Sequence, residues 1–103
     1  MKEITERFVA AVVDDSGVFA CEQLTPATAA SVAGDGICAG AVTDLDISPG
    51  RVTRVQVYSV SAKVDLGCCV SYFLELTRDG WRISAAGCAP QGRDSPFTCE
   101  AEA

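Results

Sequence analysis

Ser48-Pro49-Gly50-Arg51-Val52-Thr53-Arg54-Val55-Gln56-Val57-Tyr58 is where the chain changes its period. Before this stretch apolar residues recur at helical spacing. After Gly50 they alternate, with Val52, Arg54, Gln56 and Tyr58 on one side and Thr53, Val55 and Val57 on the other. Ser48-Pro49-Gly50 is the strongest punctuation in the sequence, so helices are expected ahead of it and strands behind it.

Toward the C-terminus, strands are expected near residues 51–59, 61–67, 69–77 and 81–87, with Arg78-Asp79-Gly80 as the tight turn between the last two. No helical stretch separates them, which excludes a parallel sheet and leaves an antiparallel meander. Residues 90–96 read as a loop, and Phe97-Thr98-Cys99 is expected to pin the C-terminus back to the body.

Toward the N-terminus, residues 4–14 place Ile4, Phe8, Ala11 and Val12 on one helical face, with Val9 and Val13 beside them. Glu3 and Glu6 fall near the positive end of that helix dipole. Asp14-Asp15-Ser16-Gly17 breaks the helix, and residues 18–24 form a second short one. Thr25-Pro26 reads as an N-cap followed by proline at the first helical position, opening a helix that Gly34-Asp35-Gly36 ends. Residues 37–42 form one more short helix. The expected fold is α+β: N-terminal helices packed on a curved four-stranded antiparallel sheet. It forms a single domain over 1–103, with a helical part about 3–45, a meander about 51–87 and a tail 88–103.

Composition narrows the function classes. The 103 residues include 14 acidic and 8 basic side chains, for a formal net charge of −6, and the basic ones are scattered singly. Such a chain does not track a phosphate backbone, so nucleic acid is not an expected partner, and neither is an anionic membrane read through a polybasic patch. Six cysteines and no histidine indicate a disulfide-stapled domain from an oxidising compartment. Met1-Lys2-Glu3-Ile4-Thr5-Glu6 is too polar for a secretory signal, so an extracytoplasmic protein whose leader or lipid anchor is missing from this sequence is expected. A native Met1 would instead make the protein cytosolic, with its cysteines thiols or metal ligands.

The C-terminal text Asp79-Gly80-Trp81-Arg82-Ile83-Ser84-Ala85-Ala86-Gly87-Cys88-Ala89-Pro90, followed by Asp94-Ser95-Pro96-Phe97-Thr98-Cys99, resembles small exported proteins and lipoproteins of actinobacteria. Those carry a Gly-Trp-Arg-Val-Ala-Ala-Gly-Cys-x-Pro strand and a closing Pro-Tyr-x-Cys, and look like reduced NTF2-like, or cystatin-like, proteins. Ala20-Cys21-Glu22-Gln23-Leu24-Thr25-Pro26-Ala27-Thr28 is similar to that group's Ala-Cys-x-Leu-Leu-x-Pro-x-Thr segment. By this resemblance Cys21, Cys38, Cys88 and Cys99 match family cysteines, while Cys68 and Cys69 depart from the pattern. The group brings no activity to transfer.

Cys21 and Cys38 flank the short helical region, and Cys88 and Cys99 bracket the terminal loop. Pairing 21 to 38 and 88 to 99 is therefore preferred among the 15 connectivities of six cysteines. For Cys68-Cys69 three readings stand: a vicinal disulfide at a distorted turn, unlinked cysteines with one buried, or a thiol pair for a soft metal ion. Trp81, Tyr58, Tyr72 and Phe19 are candidate ligand-binding residues, although residues of this kind more often simply close the core. An NTF2-like isomerase or hydrolase would draw on Tyr58, Tyr72, Asp14, Asp15 or Asp65, but none stands in a recognisable motif, and no catalytic residue is assigned. The leading expectation is a non-catalytic binding module, without cofactor or metal, that takes a protein partner or a small apolar ligand at the cell envelope. The resemblance to NTF2-like proteins implies a homodimer through the open face of the sheet. A thiol-based metal or redox protein using Cys68 and Cys69, and a small isomerase or hydrolase, are the alternatives.

Overall fold

A computed structural model describes residues 2–45, 47, 50–67, 70–90 and 97–102. Four helices come first: α1 (Lys2–Val13), α2 (Gly17–Glu22), α3 (Pro26–Ala33) and α4 (Cys38–Val42). Strands β1 (Val52–Tyr58), β2 (Ser61–Leu66), β3 (Val70–Thr77) and β4 (Gly80–Pro90) follow as an antiparallel meander. Two further short strands, β5 (Phe97–Thr98) and β6 (Ala101–Glu102), both pair with β4. The fold is thus α+β, with the change from helix to strand at the point where the hydrophobic period changes. The expected turn residues Ser48 and Pro49, and residues 91–96 of the expected loop, lie outside the described residues.

The sheet is larger than the four strands expected. Pairings Ala89↔Thr98 and Ala86↔Ala101 belong to one continuous register, so β5 and β6 are two halves of a single C-terminal edge strand. The interruption falls at Gly87, whose φ of +62° is left-handed and whose missing Cβ leaves room for Ile47 and Glu100. The Cys88–Cys99 disulfide closes the next cross-strand pair of that register, which is how the tail is held. Beyond the end of β6 the same edge of β4 is covered by the segment joining α2 to α3. There Ile83 N–H donates to Gln23 C=O at 2.7 Å and Thr25 N–H donates to Ile83 C=O at 2.9 Å, around a parallel Leu24↔Ile83 bridge.

The β3–β4 register slips twice, between Ser71 and Phe73 and between Phe73 and Leu74, so β4 carries bulges, which locally break the ladder and raise the twist of a strand. At the first of these in β4, Ser84 has no cross-strand partner in the β3–β4 register, and Thr28 Oγ1 donates to its carbonyl at 2.8 Å. Thr28 lies one turn into α3, whose N-cap Thr25 accepts from Thr28 N–H at 3.2 Å with Pro26 at N1, as expected from sequence. A buried polar chain therefore docks a helix onto a sheet irregularity.

The core sits between this face of the sheet and the helices. Phe8, Val42, Val64 and Ile83 are fully buried, joined by Leu74 and Tyr72 at 1 % exposure, and each large apolar side chain so buried contributes roughly 1.5 to 3 kcal/mol. Phe8 meets Tyr72 edge to face, ring centroids 6.0 Å apart. In α1, Val9, Ala11 and Val12 are buried with Phe8, but Val13, expected beside them, is half exposed. Among the described residues no helix is long and apolar enough to cross a membrane.

Candidate binding site

The expected disulfides Cys21–Cys38 and Cys88–Cys99 are both present, so all four of the cysteines concerned are structural. Cys21–Cys38 ties α2 to α4 across a Cα separation of 6.3 Å. Cys68 and Cys69 lie outside the described residues. Among the described residues no group of three or more cysteines or carboxylates is placed to hold a metal ion.

The aromatic candidates are dispersed. Tyr72 is in the core, and burial pushes its phenol above the ordinary value. Trp81 packs partly buried against the core from the start of β4. Tyr58, at the end of β1, and Phe19, on α2, are exposed. Register separates two of them further. Trp81 pairs with Leu76 on the face that carries Leu74 and Ile83, whereas Tyr58 pairs with Ser61 on the opposite face from Val57 and Ala62. The isomerase candidates do not converge either. Asp65 accepts a hydrogen bond from Ser71 Oγ at 2.7 Å and pairs with Lys63 at 3.8 Å on the outer face, while Tyr72 is turned inward; Asp14 and Asp15 are exposed beyond α1.

The structure instead opens a cleft of about 570 Å³ between the α2–α3 segment and the β3–β4 turn. One wall is built by the Leu24 bridge to β4, which draws the chain from Cys21 to Ala29 alongside the sheet. The other is the turn that the sequence marked as Arg78-Asp79-Gly80. Thr77 fastens this turn twice, its Oγ1 donating to Gly80 C=O at 2.7 Å and accepting from Asp79 N–H at 3.2 Å. Leu24, Pro26 and Ala29 supply apolar surface, with the Cys21–Cys38 bridge at one end. Arg78 and Arg82 stand with Glu22 and Asp79 around it, two charges of each sign. Arg82 is steadied by donating to Trp81 C=O at 2.8 Å.

An opening of this size falls in the range that accepts a small organic ligand. Its chemistry suits an apolar body with a polar head, and the guanidinium groups offer forked donors to a carboxylate or similar oxyanion. The turn and Cys21 were legible in the sequence but the cleft was not, because the two walls are 48 or more residues apart and are brought together by the Leu24–Ile83 bridge and the Thr28–Ser84 hydrogen bond. Residues 23 and 24 read as the end of a helix, whereas α2 stops at Glu22 and Gln23-Leu24-Thr25 is a buried non-helical link whose backbone takes its partners from a sheet edge. Compared with protein-family models, curated proteins and solved structures, the chain matches none.

Proposed function

We propose that this protein is a non-catalytic binding module of the extracytoplasmic space, with a reduced NTF2-like fold of the kind found in small exported actinobacterial proteins and lipoproteins. Its site is the cleft between the α2–α3 segment and the β3–β4 turn. The observation that carries the reading is that cleft: apolar surface from Leu24, Pro26 and Ala29 beside a disulfide, with Arg78 and Arg82 standing among Glu22 and Asp79. The two disulfides fit an oxidising compartment. The sequence has no histidine, the commonest general base, and the site is read as one of recognition. The ligand is a small, mainly apolar molecule whose anionic head meets the arginines.

Anilinonaphthalene sulfonate, an apolar ring system with an anionic group, is a suitable first probe. Saturable fluorescence enhancement that is lost in Ala29→Phe, a substitution that fills the cleft, supports the reading. Enhancement unchanged by Ala29→Phe and by Arg78→Ala places the probe elsewhere and defeats it.

A further inference from the structure

We infer that the protein self-associates through β1, two copies joining their sheets edge to edge in an antiparallel pair with the twofold axis through Gln56. This goes beyond the binding reading and does not depend on it.

The two edges of the sheet are treated differently. β4's outer edge is covered from Ile83 to Pro90 by the Leu24 bridge, β6 and β5. β1 pairs with β2 on one side and with no described strand on the other. Exposed edge strands are normally blunted by charge, proline or bulges. Here the bulge lies at the start of β1, between Val52 and Arg54, and the hairpin turn begins at Ser59 with φ +60°. Between them residues 54–58 run in unbroken register.

That stretch has its free backbone groups in known places. Leu76 N–H donates to Val60 C=O at 2.8 Å, so residue 60 bonds toward β3 and, by alternation, residues 61, 63 and 65 bond toward β1. Their partners Tyr58, Gln56 and Arg54 therefore face β2, and Val55 and Val57 aim their N–H and C=O outward. Both valines lie on the face of Ala62 and Val64, extending the core row to the edge, yet they are 39 % and 51 % exposed.

A second copy satisfies all of this at once. Only a twofold axis on a residue keeps equivalent faces together, and an axis on Gln56 uses the whole regular stretch. Val55 then sits opposite the second copy's Val57, and Val57 opposite its Val55, in the hydrogen-bonded positions. On the other face Arg54 meets the ring of the second copy's Tyr58, a cation–π pair, and the two Gln56 amides face each other. The chain carries net charge −6, but β1 has no carboxylate to repel its own copy. The binding cleft, at the β4 end, stays open in both copies. A ladder this short is below the size of a permanent interface, so the dimer is concentration-dependent.

Sedimentation velocity on the intact oxidised protein over a concentration series tests this. The expected result is a monomer–dimer equilibrium that Val55→Pro weakens about tenfold or more, since proline removes an outward N–H and leaves the β1–β2 ladder intact. Circular dichroism checks that this variant folds. An independent pair fixes the register: Gln56→Cys, at the non-hydrogen-bonded position on the axis, gives a covalent dimer under mild oxidation, whereas Val55→Cys, displaced from its own copy by two residues along the strand, does not. A monomer at every concentration overturns the proposal, as does equal cross-linking at the two positions.

Discussion

Replacing Thr28 with valine tests the way the helices are fastened to the sheet. Thr28 is fully buried, and its hydroxyl has one proton, which goes to the Ser84 carbonyl. The 2.7 Å contact between the two threonine hydroxyls must then run from Thr25 to Thr28, while Thr25 accepts from Thr28 N–H. Thr28→Val keeps the volume and breaks the chain in two places, leaving the Thr25 hydroxyl without its acceptor and the Ser84 carbonyl without its donor. Each buried group so stranded costs about 1 to 3 kcal/mol, so a loss near 3 kcal/mol is expected, a large part of the roughly 5 to 15 kcal/mol of a whole domain. Urea unfolding followed by circular dichroism reads this as a midpoint lowered by about 2 M with the slope preserved. Thr25→Ala alone is expected to cost about 1 kcal/mol as a lost N-cap. Because both variants cut the same chain, the double variant loses less than the sum. A loss below about 0.5 kcal/mol for Thr28→Val, or strict additivity with Thr25→Ala, would refute the argument.

Two further substitution sets probe the core and the helix layer. Tyr72 is buried as the neutral phenol, so its folded-state value lies above the ordinary 10; below pH 10 neither state is ionised and the group has no effect. As pH rises past 10 the unfolded chain releases the proton first, and stability falls by up to about 1.4 kcal/mol per pH unit until the folded form also titrates. Alkaline urea titrations of Tyr72→Phe should lack this slope. Gly17→Ala places a methyl against the backbone of Ala39, where α2 closes on α4, and is expected to cost about 1 to 3 kcal/mol despite alanine's better helix propensity. Gly40→Ala, with open space at its Cβ, should be neutral or slightly stabilising in the same thermal melt.

Much of this architecture was legible because local rules and tertiary structure agree. The alternation after Gly50 became β1, β2 and β3 within a residue or two of the expected ends, and Thr25-Pro26 opened α3. Legibility failed where regularity did. β4 continues to Pro90 rather than ending near 87, because the bulge at Ser84 and the left-handed Gly87 scramble the alternation that marks a strand. β5 and β6 are two residues each, too short for any periodicity, and exist by virtue of pairing to β4 and the Cys88–Cys99 bond. The cleft was illegible for a related reason: the aromatic candidates Trp81, Tyr58, Tyr72 and Phe19 are scattered by the fold, whereas the cleft is lined by a turn and a helix junction that are far apart in sequence and carry no aromatic residue.

The proposed recognition site lies between the α2–α3 segment and the β3–β4 turn. Amide chemical shifts of uniformly labelled oxidised protein, titrated with a small-molecule fragment library that includes aromatic and aliphatic carboxylates, test it most directly. Saturable shifts concentrated at residues 21–29 and 77–82 are expected, with carboxylate-dependent changes that Arg78→Ala diminishes. Shifts confined to any other surface, or none across the library, would contradict it.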